Sequence, residues 1–95
     1  MWINNEEISR WAYYQCTKYD RPTIRNLICK SKWAYLYCKT INNSKEIASK
    51  IKNPYWAFKY CIDIEETQEK IEIIKKSSYW YWFDKIKKDK KEMKI

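Results

Sequence analysis

The side chains best equipped for chemistry in this chain are four cysteines, Cys16, Cys29, Cys38 and Cys61. Four thiolates can hold zinc in a tetrahedral all-sulfur site. The spacing argues against it. No Cys-x-x-Cys pair occurs, and Cys16, Cys38 and Cys61 occupy one position of a recurring motif. Stacked helices would hold such residues about 8–10 Å apart. The thiols therefore read as small core side chains, and neither a metal nor a cofactor is expected. Paired carboxylates for acid–base work reduce to Glu65 and Glu66, neighbours that do not face each other on a helix or turn. Histidine is absent, which removes the commonest general base and the usual activator of a Ser or Cys nucleophile. Glycine is absent as well, where about 7% is ordinary. Phosphate-cradling loops, dinucleotide fingerprints and nucleophile elbows all need the close backbone approach that glycine permits. The inventory points to a protein that binds and does not catalyse.

The elements that would position these residues repeat along the chain. Trp11-Ala12-Tyr13-Tyr14-Gln15-Cys16 returns as Trp33-Ala34-Tyr35-Leu36-Tyr37-Cys38 and again as Trp56-Ala57-Phe58-Lys59-Tyr60-Cys61, at spacings of 22 and 23 residues. Tyr79-Trp80-Tyr81-Trp82-Phe83-Asp84 is a degenerate fourth copy. Ala34, Tyr37, Cys38 and Ile41 stand at i, i+3, i+4 and i+7, as do Ala57, Tyr60, Cys61 and Ile64, which is the stripe of an amphipathic helix. Between the motifs, Ile24, Leu27 and Ile28, then Ile47 and Ile51, then Ile71 and Ile74 mark second helices. Expected N-caps are Asn5, Asp20, Ser31, Asn43 or Ser44, Asn53 before Pro54, Thr67 and Ser77. The expectation is an all-α fold, a compact array of about seven short helices in 23-residue helix-turn-helix repeats, near 5–18, 21–30, 32–41, 44–52, 54–64, 67–76 and 78–92. Residues 1–95 would form one domain, with 87–95 as a frayed basic tail.

This pattern resembles the short helical repeats of bacterial and phage proteins that carry a Pro-x-x-Ala-Tyr-x-Tyr-Ala-like helix in each unit. Pro54-Tyr55-Trp56-Ala57-Phe58-Lys59-Tyr60-Cys61 is the best match and Trp33 to Cys38 the next. The resemblance spans most of the chain and implies a helical-repeat fold without catalytic residues. Cysteine replaces the pattern's alanine, and the fourth copy lacks the small residues.

The surface carries the functional expectations. The net charge is +8, from 20 Lys/Arg against 12 Asp/Glu, a field that attracts nucleic acid, acidic proteins or anionic membranes and also keeps a protein soluble. Tyr13, Tyr35, Phe58 and Tyr81 recur at the edge of the helical core stripe. Aligned rings could stack bases or anchor a partner; equally, they could pack on the next helix. Lys30, Lys32, Lys52, Lys75 and Lys76 cluster in the connections that lead into each motif. They could form a basic edge for phosphates or an acidic protein, or simply suit helix C-termini. Asp63, Glu65, Glu66, Glu69 and Glu72 would make part of the opposite edge acidic. The start, Met-Trp-Ile-Asn-Asn-Glu-Glu, does not read as a signal peptide, and no apolar run approaches the ~18 residues of a membrane span. Cytoplasmic residence in a bacterial host with reduced thiols and no membrane partner is expected. The leading expectation is a stoichiometric inhibitor from a phage or mobile element, anti-CRISPR-like, that masks a protein target such as a CRISPR effector or another nucleic-acid-handling complex. The alternative is direct RNA or DNA binding through the basic edge and the rings.

Overall fold

Seven α-helices form in the computed structural model, which describes residues 4–92 and, of residues 90–92, the backbone alone. They are α1 (Asn5–Lys18), α2 (Pro22–Arg25), α3 (Ser31–Thr40), α4 (Lys45–Ala48), α5 (Pro54–Asp63), α6 (Gln68–Lys75) and α7 (Tyr79–Glu92), and no strand occurs among the described residues. The all-α expectation therefore holds. The chain divides into two compact units, Met1–Lys52 and Asn53–Ile95. In the first, α1 packs on α2 and α3, and α3 on α4; in the second, α5 packs on α6 and α7, and α6 on α7. Helix α7 carries the first part of the expected frayed tail as far as Glu92; Lys94 lies outside the described residues.

Short polar side chains open most of the helices. Asn53 Oδ1 accepts the N–H groups of Tyr55 and Trp56 at 2.9 and 3.4 Å, and Pro54 fills the first helical position, which needs no N–H. Ser44 and Thr67 cap α4 and α6 in the same way, at 3.5 and 3.3 Å. Ser77 Oγ accepts the Tyr79 N–H at 3.2 Å. Three expected caps are corrected. Asn4, not Asn5, caps α1 by accepting the Glu7 N–H at 2.8 Å. Asp20 and Ser31 cap nothing, because each is drawn into a longer-range bond.

Those longer-range bonds also correct the second helices, expected at about ten residues. In α2 and α4 the α-helix lasts one turn and then tightens into i→i+3 bonds, Ile28 N–H to Arg25 and Ile51 N–H to Ala48, both at 3.0 Å. Beyond that point a serine from the preceding motif helix takes over the backbone. Buried Ser9 Oγ accepts from Cys29 and Lys30 N–H at 3.0 and 3.2 Å, and Ser31 Oγ accepts from Lys52 N–H at 2.9 Å. The third copy has Pro54 at this position, with no hydroxyl to offer, and α6 runs on for eight residues.

The small residues of the motif do what their spacing implies. Ala12, Ala34 and Ala57 are fully buried, and Cys16, Cys38 and Cys61 nearly so. Ile28, Ile51 and Ile74, which stand 23 residues apart, are each fully buried. In the first unit the core includes a polar knot. The Tyr37 hydroxyl donates to Asp20 Oδ2 at 2.7 Å, and Arg25 Nε donates to Oδ1 at 3.1 Å. Burial alone would raise the Asp20 pKa, but the two donors and the Arg25 charge outweigh it, and the carboxyl is held below its ordinary value. Burial, and then the bond to Asp20, push the Tyr37 hydroxyl in the other direction, well above its usual range.

Candidate functional site

The expected ring ladder is the first surface to be corrected. Tyr13 and Tyr35 are buried, and the Tyr13 hydroxyl shares a 2.9 Å hydrogen bond with Thr40 Oγ1. Phe58 is partly buried, stacked on Tyr79 with ring centroids 5.9 Å apart and edge-on to Phe83 at 6.3 Å. These three serve packing, because the edge of the core stripe is where the neighbouring helix arrives. Of the four rings only Tyr81 stands in water, at 63% exposure. The exposed aromatics are mostly others: Trp11, Tyr14 and Tyr19 in the first unit, and Tyr55, Tyr81 and Trp82 in the second. Trp33 shows why Trp11 differs from it. Rings of α1 cover Trp33, with Tyr13 at 5.5 Å and Tyr14 at 5.8 Å, and its Nε1 donates to Glu6 Oε1 at 2.8 Å. Trp11 lies on α1 itself and is left half in water.

Trp11 shares an open groove of about 540 Å³ with Ile8 and Leu27, with Glu7 at its rim. On α1 the residues Ser9, Ala12, Tyr13 and Cys16 face inward. At 100° per residue, Glu7, Trp11, Tyr14 and Lys18 fall together on the other side. Leu27 reaches the groove from the turn that ends α2 and is 43% exposed. Lys50 Nζ donates to the Asn26 carbonyl at 3.0 Å, which sets an ammonium one residue from Leu27. Sequence periodicity could not find this groove, since Leu27 has the spacing of a core residue.

Three of the five expected lysines are brought together in the first unit. Lys30 and Lys32 flank Ser31, and the Ser31 hydroxyl holds the backbone of Lys52. All three residues are exposed: Lys30 and Lys32 stand at the start of α3, Lys52 follows α4 with its backbone held against Ser31, and Lys32 Nζ lies 5.1 Å from the Trp33 ring centroid. The positive end of the α3 dipole adds to their field. Lys75 and Lys76 are exposed at the end of α6 in the second unit, where Lys75 Nζ lies 5.5 Å from the Trp80 ring centroid. Charge is unevenly divided. Residues 1–52 hold ten Lys/Arg against four Asp/Glu, and residues 53–95 hold ten against eight. Several acids expected at one edge are paired within the second unit: Glu66 with Lys87 at 3.1 Å, Asp63 with Lys59 at 3.6 Å and Glu69 with Lys70 at 3.3 Å.

The cysteines divide by exposure. Cys16, Cys38 and Cys61 are buried, and Cys38 Sγ donates to the Ser44 carbonyl at 3.7 Å. Burial pushes the Cys16 and Cys61 thiols above their ordinary pKa. Cys29 is exposed, its Sγ 3.5 Å from Ser9 Oγ. No group of three His, Cys, Asp or Glu side chains that could hold a metal ion occurs among the described residues. A thiolate is the reactive form, so a maleimide at neutral pH is expected to label Cys29 rapidly and the other three only on unfolding. Mass spectrometry of the labelled peptides checks this, and rapid labelling of Cys38 in the native protein would contradict its burial.

These surfaces define an all-α protein with a basic first unit and exposed aromatic faces. No family model, curated protein or solved structure matches the chain. Among the described residues no helix is long and apolar enough to cross a membrane.

Proposed function

We propose that this chain is a non-catalytic binding protein that masks a protein target, in the manner of the small stoichiometric inhibitors of phages and mobile elements, anti-CRISPR proteins among them. The observation that carries the reading is the open groove of Ile8, Trp11 and Leu27 on a unit with a large excess of positive charge. Tryptophan is among the residues that dominate protein interfaces, and the Lys50 ammonium near Leu27, with the positive excess of this unit, favours a target with an anionic surface. A nucleic-acid-handling defence effector in the bacterial cytoplasm is the target class that fits both. The test is affinity capture from nuclease-treated host lysate with the wild type, Trp11→Ala and Leu27→Glu. One protein retained stoichiometrically by the wild type, and weakened at least about tenfold in both variants, is the expected result. Capture that disappears with nuclease treatment, or that both variants preserve, overturns it.

A second reading, direct RNA or DNA binding, has the convergence of Lys30, Lys32 and Lys52 in its favour. Each neutralised phosphate adds about 0.7–0.9 to the slope of log affinity against log salt. The Lys30→Glu, Lys32→Glu, Lys52→Glu triple variant is expected to flatten that slope by about 2–3. An unchanged slope removes this reading.

A further inference from the structure

The outer face of α7 holds two large rings that packing does not use. At 100° per residue, Tyr81, Trp82, Lys85, Lys88 and Asp89 share one side of this helix, opposite the buried Phe83. Tyr81 is 63% exposed and Trp82 53%. The rings meet edge-on, with centroids 5.3 Å apart and planes at 83°, so an edge of one lies against a face of the other and the two do not stack on each other. Lys85 Nζ lies 5.7 Å from the Trp82 ring centroid. Lys88 pairs with Asp84 at 3.2 Å, where both side chains are largely in water and the pair is weak. Asp89 is the one acid among the five, and the sequence goes on to Lys90, Lys91 and Glu92, of which Glu92 has the helical position of this side.

We propose that this face is a stacking site for unpaired nucleobases, with single-stranded nucleic acid as its ligand. The rings supply sequence-tolerant π faces, and Lys85 and Lys88 supply the charge that follows a phosphate backbone. A duplex hides its base faces and cannot use the rings. A membrane surface is the poorer occupant. A helix lying in a bilayer interface buries a broad apolar stripe, whereas this side of α7 sets Lys85, Lys88 and Asp89 beside its two rings, and Ile86, the aliphatic residue next to Trp82 around the helix, is partly buried. The proposal uses residues of the second unit and does not depend on the masking role of the first.

The test is a titration of the full chain at low salt with short oligo(dT), the corresponding duplex, and phosphatidylcholine–phosphatidylserine vesicles, read by tryptophan fluorescence and anisotropy. Oligo(dT) is expected to quench fluorescence and to bind more tightly than duplex. Tyr81→Ala and Trp82→Ala should each weaken it by about tenfold, Lys85→Glu should weaken it as well, and Trp82→Phe should bind with most of the quenching gone. Circular dichroism verifies that these variants, altered at exposed positions, keep the wild-type helix content. Wild-type affinity in both ring variants, duplex bound as tightly as single strand, or binding to vesicles alone overturns the proposal. Because the probe is nucleic acid alone, failure here leaves the captured-protein experiment on Trp11 and Leu27 unaffected.

Discussion

Tyr37→Ala is expected to lower stability by about 3–5 kcal/mol, the range for deleting a buried aromatic side chain. The ring is fully buried and its hydroxyl ties α3 to Asp20, two residues before α2 opens at Pro22. Tyr37→Phe separates the two contributions. It keeps the ring and removes the donor to a carboxylate that Arg25 also holds. The Asp20 and Arg25 side chains remain about a quarter exposed, so water can replace part of the lost bond, and a cost of about 1–2 kcal/mol is expected. The two variants should also differ from the wild type in acid. Asp20 titrates below its ordinary value of 3.8 in the folded chain. Its contribution is therefore fully present above the unfolded pKa and is lost as pH falls through the folded one. Urea unfolding followed by circular dichroism at pH 7 and near pH 3 measures both effects. The gap between wild type and Tyr37→Phe should narrow in acid, and a gap independent of pH would mean that the hydroxyl acts without the Asp20 charge.

The second large effect runs in the opposite direction. Lys70 is 2% exposed, yet 23-residue spacing places it at the position held by Ile24 and Ile47 in the earlier copies, and Ile47 is fully buried. Its ammonium is 3.3 Å from Glu69 Oε1 and 5.5 Å from the Tyr60 ring centroid. Glu69 is itself about half exposed, so the desolvated cation faces a partner whose charge water screens. Replacing a buried ion with an apolar side chain of similar size is often stabilising. Lys70→Ile is expected to raise stability by about 1–3 kcal/mol. Lys70→Ala discards the stem packing along with the charge and is expected to lower it by about 2–3 kcal/mol. Thermal unfolding of both variants is the measurement, and a destabilised Lys70→Ile would show that the contacts to Tyr60 and Glu69 exceed the cost of burial.

Local features of this protein are legible in the sequence. The recurring motif, its apolar stripes and the isoleucine pairs between its copies place seven helices, though not the ends of α2 and α4, and Ser44, Asn53 and Thr67 are recognisable as caps, because helix period and capping depend on residues within one turn of each other. The burial of Ala12, Ala34, Ala57 and the three motif cysteines followed from the same periodicity. Lys30, Lys32 and Lys52 stand out from their places in the connections, although the bond that gathers them depends on Ser31, whose position alone suggests a cap. What tertiary structure alone decided involves partners 17 or more residues away. Ser9 and Ser31 end α2 and α4 by capturing distant N–H groups, and Asp20 is spent on Tyr37 and not on a helix start. Trp11 and Trp33 share one motif position, but among the described residues only the latter of the two has rings of another helix against it. Sequence period determines which way a side chain points from its own helix. Whether another helix stands there to meet it is settled only when the chain has folded, and in this protein that difference separates the core from the groove and the ring face of α7.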